Sequence, residues 1–180
     1  MEKTVFQGQI IQVTQQQIGD ITWERAYLPD GVIAFPMNEE GQILMVEEKR
    51  PHESPPIRIK PVSGILENHR GTPEENLQQE MQEEVGYKAR ELALFMTLKG
   101  SGTVTHTQYF FIARGLLPSK LPNPDGEDTI MGLRWYSPDE LLEAYLQDQI
   151  KWSFSTLGFF KLYHLLKSDK FLDLRFAPQT

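Results

Sequence analysis

Glu80, Glu83 and Glu84 stand three and four residues apart in the run Glu80-Met81-Gln82-Glu83-Glu84-Val85-Gly86. On a helix that turns about 100° per residue, this spacing puts all three carboxylates along one edge. Like charges placed this way repel and disfavour the helix by about 0.2–0.5 kcal/mol per pair, and partial burial would raise their pKa values. A hard divalent cation reverses both penalties. Magnesium fits because it takes oxygen ligands, uses one or two carboxylates and leaves its other positions to water and phosphate, with manganese as the substitute. An acidic run on a helix is most often a solvated face, so specificity has to come from the elements around it.

Those elements are legible on both sides. Thr72-Pro73-Glu74-Glu75 is a capping box with proline at the first helical position, and Gly86 can take the left-handed conformation that ends a helix. The helix is therefore predicted over residues 73 to 85. Leu77, Met81 and Val85 recur every four residues and form an apolar stripe, which must face a core and places the three acids beside it, Glu84 nearest.

Elsewhere, residues 4 to 13 and 18 to 28 are rich in β-branched and aromatic side chains around Gln15-Gln16-Gln17, and predict an N-terminal hairpin over about residues 1–28. Val32-Ile33-Ala34-Phe35 and Ile43-Leu44-Met45-Val46 predict two central strands flanking a turn at residues 38 to 41. The stretch from Pro51 to Pro61 is expected to be a surface loop, because proline lacks an amide donor. Segments 91 to 98, 107 to 117 and 133 to 136 read as further strands. Ser137-Pro138-Asp139-Glu140 opens another capped helix, and residues 152 to 167 a last one. Strands mixed with a few helices, without repeat or linker, predict a single α/β or α+β domain over residues 1–180.

Composition narrows the chemistry. The chain has 180 residues, no cysteine and a formal net charge of −7. Disulfides and thiolate chemistry are thereby excluded, and non-specific nucleic-acid binding is disfavoured, since that depends on Lys and Arg neutralising phosphates. The first residues carry an early acid and no continuous apolar stretch, and no run is long enough to span a bilayer; a cytoplasmic protein with no membrane partner is expected. His52, His69, His106 and His164 share no metal-ligand spacing. His164, among Phe160, Tyr163 and Leu165, is expected to be packed. No Gly-x-Ser-x-Gly elbow or Walker-type loop occurs, which weakens serine-hydrolase and kinase readings.

Gly64-Ile65-Leu66-Glu67, a loop, the capping box and then Glu80 to Tyr87 together resemble the Nudix box. The match is close in its second half. Counting back from Gly86, the box glycine falls at Ile65, so Gly64 sits one residue early; the first box glutamate falls on Gly71 and the box arginine on Gln79. The resemblance implies an α/β/α sandwich with a mixed sheet and a loop-helix-loop metal site. It also implies that Glu80, Glu83 and Glu84 bind magnesium, which activates water against a diphosphate. The segments Trp23-Glu24-Arg25, Gly31 to Ala34 and Ile43 to Arg50 are similar to the entry of the ADP-ribose pyrophosphatase branch.

That branch implies a homodimer through the first strands, substrate contacts from Arg50 and Arg25, an approach of substrate at Gly64, and the carbonyl of Ser63 as a metal ligand. Its base-contacting glutamate is replaced here by Lys60, which argues against strict ADP-ribose specificity. Glu127, with Asp128 second, lies in a loop that in relatives supplies an acid to the metal site, so the general base is Glu83 or Glu127. The expected activity is metal-dependent hydrolysis of a nucleoside diphosphate linked to another moiety. The alternative is a nucleotide-binding module on the same fold with little turnover, because Gly71 and Gln79 replace a charged pair.

Overall fold

In a computed structural model, the structure describes residues 1–67, 69, 71–100, 102–122, 129–151 and 153–179. The first 28 residues form three strands: β1 (Glu2–Gln7), β2 (Gln12–Ile18) and β3 (Ile21–Tyr27). They pair antiparallel in succession. The expected hairpin is therefore a meander, and Gln15, Gln16 and Gln17 lie inside β2 instead of connecting two strands. Cross-strand pairing overrides their low β-propensity: Gln15 lies opposite Glu24 and donates to its carboxylate at 2.7 Å. The real turn is Gly19-Asp20, with Gly19 at positive φ and Ile18 opposite Ile21, a two-residue connection of the kind that favours glycine.

β4 (Gly31–Pro36) is buried at every position, as its unbroken apolar run predicts. It lies in the central sheet between β10 (Thr107–Pro118), to which it runs parallel, and β7 (Val62–Ile65), to which it runs antiparallel. β8 (Tyr87–Lys99) and the short β12 (Ala177–Pro178) complete this mixed sheet in the order β12-β8-β10-β4-β7. A second sheet, β11-β5-β6, contains β5 (Ile43–Lys49), β6 (Ile57–Lys60) and β11 (Ile130–Tyr136). The dipeptide strand β9 (Val104–Thr105) joins β3.

β6 corrects the expectation of a surface loop from Pro51 to Pro61. Pro56 and Pro61 flank this strand and leave its amides intact, so Ile57 to Lys60 pair with Lys49 to Val46 at the edge of the sheet.

The alternation along β4 separates two cores. Val32 and Ala34 pack with Leu77, Met81, Val85 and Phe111 on one face, and Ile33 and Phe35 with Phe110, Phe159 and Leu162 on the other. The first face is covered by α1 (Pro73–Glu80), the second by α2 (Pro138–Leu146) and α3 (Phe154–Leu166). Helices on both faces of a mixed sheet make an α/β/α sandwich. His164 is exposed on α3, against expectation; the buried positions of that helix are Thr156, Gly158, Phe159, Leu162 and Leu165, and His164 falls outside their arc.

Candidate active site

α1 begins as its sequence predicts. The Thr72 hydroxyl accepts from the Glu75 amide at 3.3 Å and the Glu75 carboxylate accepts from the Thr72 amide at 2.7 Å. Gly71, where the box glutamate would be counted, has φ +90°, and a side chain there would put its Cβ 2.0 Å from a Glu75 carboxylate oxygen. Gly71 thus makes room for the cap. The helix is oriented by two buried amides. Asn76 accepts from the Glu67 amide at 2.8 Å and donates to the Thr72 carbonyl at 2.9 Å, while Gln78 exchanges two bonds with the backbone of Ala89, at 2.7 and 3.0 Å.

The single α-helix expected to Val85 changes type. From Met81 to Val85 it widens into a π-turn that stops at Gly86, φ +73°. Single-turn π segments inside helices occur frequently at functional sites. The wider turn keeps Leu77, Met81 and Val85 in the core and brings Glu83 to the same depth as Glu84, at 6 % and 9 % exposure. The end of the turn is held by the chain leaving β10: Ser119 donates to the Gly86 carbonyl at 2.8 Å, the Lys120 ammonium to the Glu83 carbonyl at 2.6 Å and the Leu121 amide to the Gln82 carbonyl at 3.2 Å.

Glu80, Glu83 and Glu84 all line one cleft of 590 Å³. Gly64 on β7 forms its floor against Glu80: a Cβ on Gly64 would fall 2.1 Å from the Glu80 carboxyl carbon. Gly64 fulfils this close approach although the loop after it is one residue longer than in the box it resembles. Gln79, in the box-arginine position, donates to Glu83 Oε1 at 2.8 Å.

The opposite wall is cationic. In the β5–β6 ladder Glu48 stands across from Arg58 and Val46 across from Lys60. Glu48 is buried and accepts from Arg50 Nε at 2.9 Å and Arg58 Nε at 2.7 Å. Burial pushes its carboxyl upward, but the hydrogen bond from Arg50, the charge of Lys60 and the bond from Arg58 together hold it below its ordinary range. Lys60 reaches across to the acid turn, with its ammonium 2.5 Å from Glu84 Oε1 and 3.2 Å from Ser63 Oγ. The Ser63 amide donates to Glu84 Oε2 at 3.2 Å. Burial pushes the Glu84 carboxyl up, against the pull of Lys60 and of the Ser63 amide.

The sequence-predicted residues divide accordingly. The cleft brings together Glu80, Glu83, Glu84, Ser63, Gly64 and Arg50. Arg25 is not among them; it sits on β3 in a separate cavity of 330 Å³ with Trp23 and Thr14, its guanidinium 3.3 Å from the Tyr27 hydroxyl. Glu127 and Asp128 lie outside the described residues. Glu48, Arg58, Gln108 and Phe154 also line the cleft without having been singled out from sequence. Glu48 had a signal: two-residue alternation puts it on the same face of β5 as Leu44 and Val46, the face toward α1. Arg58 became visible only once β6 was a strand.

For a hard divalent cation the donor chemistry fits, since Glu80, Glu83 and Glu84 offer only oxygen and two of them, Glu83 and Glu84, are buried. Among the described residues, however, no three acidic side chains already converge on one point, and Glu84 is engaged by Lys60.

Comparison with known proteins gives a consistent picture. The NUDIX domain model matches residues 27–156. No curated protein matches the sequence. A solved structure described as the crystal structure of ADP compounds hydrolase superposes with a TM-score of 0.76, covering 93 % of this chain and 92 % of that one at 15 % identity, and so shares its fold.

Proposed function

This chain belongs to the Nudix family, and from that premise we propose that it hydrolyses the phosphoanhydride of a nucleoside diphosphate linked to a second moiety, a nucleotide sugar or ADP-ribose-like compound. The observation that carries this reading is the cleft with three carboxylates on one wall and Arg50, Arg58 and Lys60 on the other. Few ligands need both. A diphosphate bound with a divalent cation does, since its anionic oxygens seek guanidinium groups and the cation seeks carboxylates.

Glu80, Glu83 and Glu84, with the Ser63 carbonyl, would hold magnesium, for which manganese can substitute; when bound it neutralises charge on the phosphoryl oxygens and acidifies a water. Arg50 and Arg58 present their remaining guanidinium donors to the diphosphate, while Glu48 fixes both planes. Gly64 leaves the floor open beside Glu80. Glu83, steadied by Gln79, accepts the proton of the attacking water, with Glu127 or Asp128 as the other candidate base. Arg25 would reach a substrate only across a dimer. Such a homodimer is supported by Phe6, Ile18, Ile21 and Trp23, all exposed on the N-terminal sheet. Partners are then small nucleotides, with no nucleic acid or membrane, and the compartment cytoplasmic; no described helix is long and apolar enough to cross a membrane.

A second reading, a nucleotide-binding module with little turnover, is favoured by the Lys60 contact on Glu84. A screen of nucleoside-diphosphate sugars, dinucleotides and nucleoside triphosphates with magnesium separates the two. The hydrolase reading expects phosphate-ester products that fall at least 100-fold in Glu83→Gln and Glu84→Gln. Binding without product supports the module, and equal rates in wild type and both variants would remove the proposed site.

A further inference from the structure

Of the cationic side chains that line the cleft, Arg50, Arg58 and Lys60, Lys60 is the one with a described contact to the acid turn. Lys60 enters on β6 and is 8 % exposed; its ammonium touches Glu84 Oε1 and Ser63 Oγ and lies 4.0 Å from Glu48 Oε1. Glu84 Oε2 is meanwhile occupied by the Ser63 amide. Both oxygens of this carboxylate therefore have donors. A magnesium ion would need to sit about 2.0–2.1 Å from one of them, in the same small volume as an ammonium 2.5 Å away, where two like charges in a poorly solvated pocket repel strongly. An arginine or lysine on the rim could swing into water, but Lys60 is on the buried face of its strand, with Glu48 and Glu84 as its surroundings.

Resting on the metal-site reading above, we propose that Lys60 is a resident counter-ion for Glu84 that competes with divalent cations for this carboxylate, so that the native protein holds fewer or more weakly bound ions than its three glutamates would otherwise hold. Lys60 acts here as a positioning residue: it keeps Glu84 oriented when no ion is bound and sets the ion concentration at which the site fills. A lysine is suited to this, being a compact point charge that can exchange its contacts without the planar fork of an arginine.

The test is a Mn2+ titration of the full chain, read as free Mn2+ by electron paramagnetic resonance, on the wild type, Lys60→Met, Lys60→Gln and Lys60→Met/Glu84→Gln, with circular dichroism melts to establish folding. The expected result is at least tenfold tighter binding, or one additional ion per chain, in Lys60→Met, and loss of that gain in the double variant. Lys60→Gln takes its place if Lys60→Met does not fold. Equal stoichiometry and affinity in wild type and lysine variants, including no binding by any, overturns the proposal, as does a gain that survives Glu84→Gln. Hydrolysis by the wild type is assayed separately: its absence counts against the hydrolase reading alone, since the Mn2+ comparison does not depend on turnover.

Discussion

The α-carbon of Gly64 and the carboxylate of Glu80 are packed so that no side chain fits between them, a Cβ falling 2.1 Å from the carboxyl carbon. A strand that carries no metal ligand side chain thereby fixes where a glutamate on the neighbouring helix points.

Gly64→Ala is expected to preserve the fold, because the obstructing atoms are the far end of a side chain, and to push Glu80 aside. A displacement of about 1 Å at a reacting centre costs on the order of 100-fold in rate. Steady-state kinetics beside a thermal melt measures this; an unchanged kcat would mean Glu80 takes no part in the chemistry.

Gln79→Ala removes the 2.8 Å bond to Glu83. Loss of one such bond costs about 1 kcal/mol, so kcat should fall about fivefold with KM nearly constant. A KM effect instead would place Gln79 in substrate binding.

Glu48 supplies a pH signature. Its folded pKa lies below the ordinary value of 4.5, so its contribution is fully present above about pH 4.5 and is lost as pH falls through the folded value. Glu48→Gln should lower stability at pH 7 by about 2 kcal/mol, less than the roughly 3–5 kcal/mol of a fully buried pair because both arginines are partly exposed. Below pH 4.5 its stability curve should be shallower than that of the wild type. Urea unfolding between pH 3 and pH 7 would show this, and parallel acid limbs would refute it.

Arg58→Ala should reduce kcat/KM about 10–100-fold, equivalent to about 1.4–2.7 kcal/mol of transition-state binding, with the loss shrinking for substrates that have a single phosphate. The same factor for every substrate would reduce Arg58 to a structural partner of Glu48.

Thr72→Ala tests the helix start, with an expected loss of about 1 kcal/mol in urea unfolding.

How much of this was readable beforehand depends on whether the cause is local. The cap at Thr72 and Glu75, the stop at Gly86 and the burial of β4 follow from neighbours in sequence, and the structure has them where the sequence predicts. Gln15 to Gln17 were misread because pairing with β3, not propensity, decides their conformation. Ile57 to Lys60 were hidden by flanking prolines that spare the amides between them. The contact of Lys60 with Glu84 spans 24 residues, and the shift from α to π at Met81 reflects packing on the sheet; neither leaves a local trace. Gly71 and Gln79, which looked like losses by comparison with the box pattern, have replacement work, one at the cap and one at Glu83.

The three bonds from residues 119–121 to the carbonyls of Gln82, Glu83 and Gly86 make the end of β10 and the acid turn one mechanical unit. None of Ser119, Lys120 and Leu121 lines the cleft, so a shift of this short segment would reach the backbone of Glu83 before it reached any side chain, and the acids can be re-aimed from positions that touch no substrate.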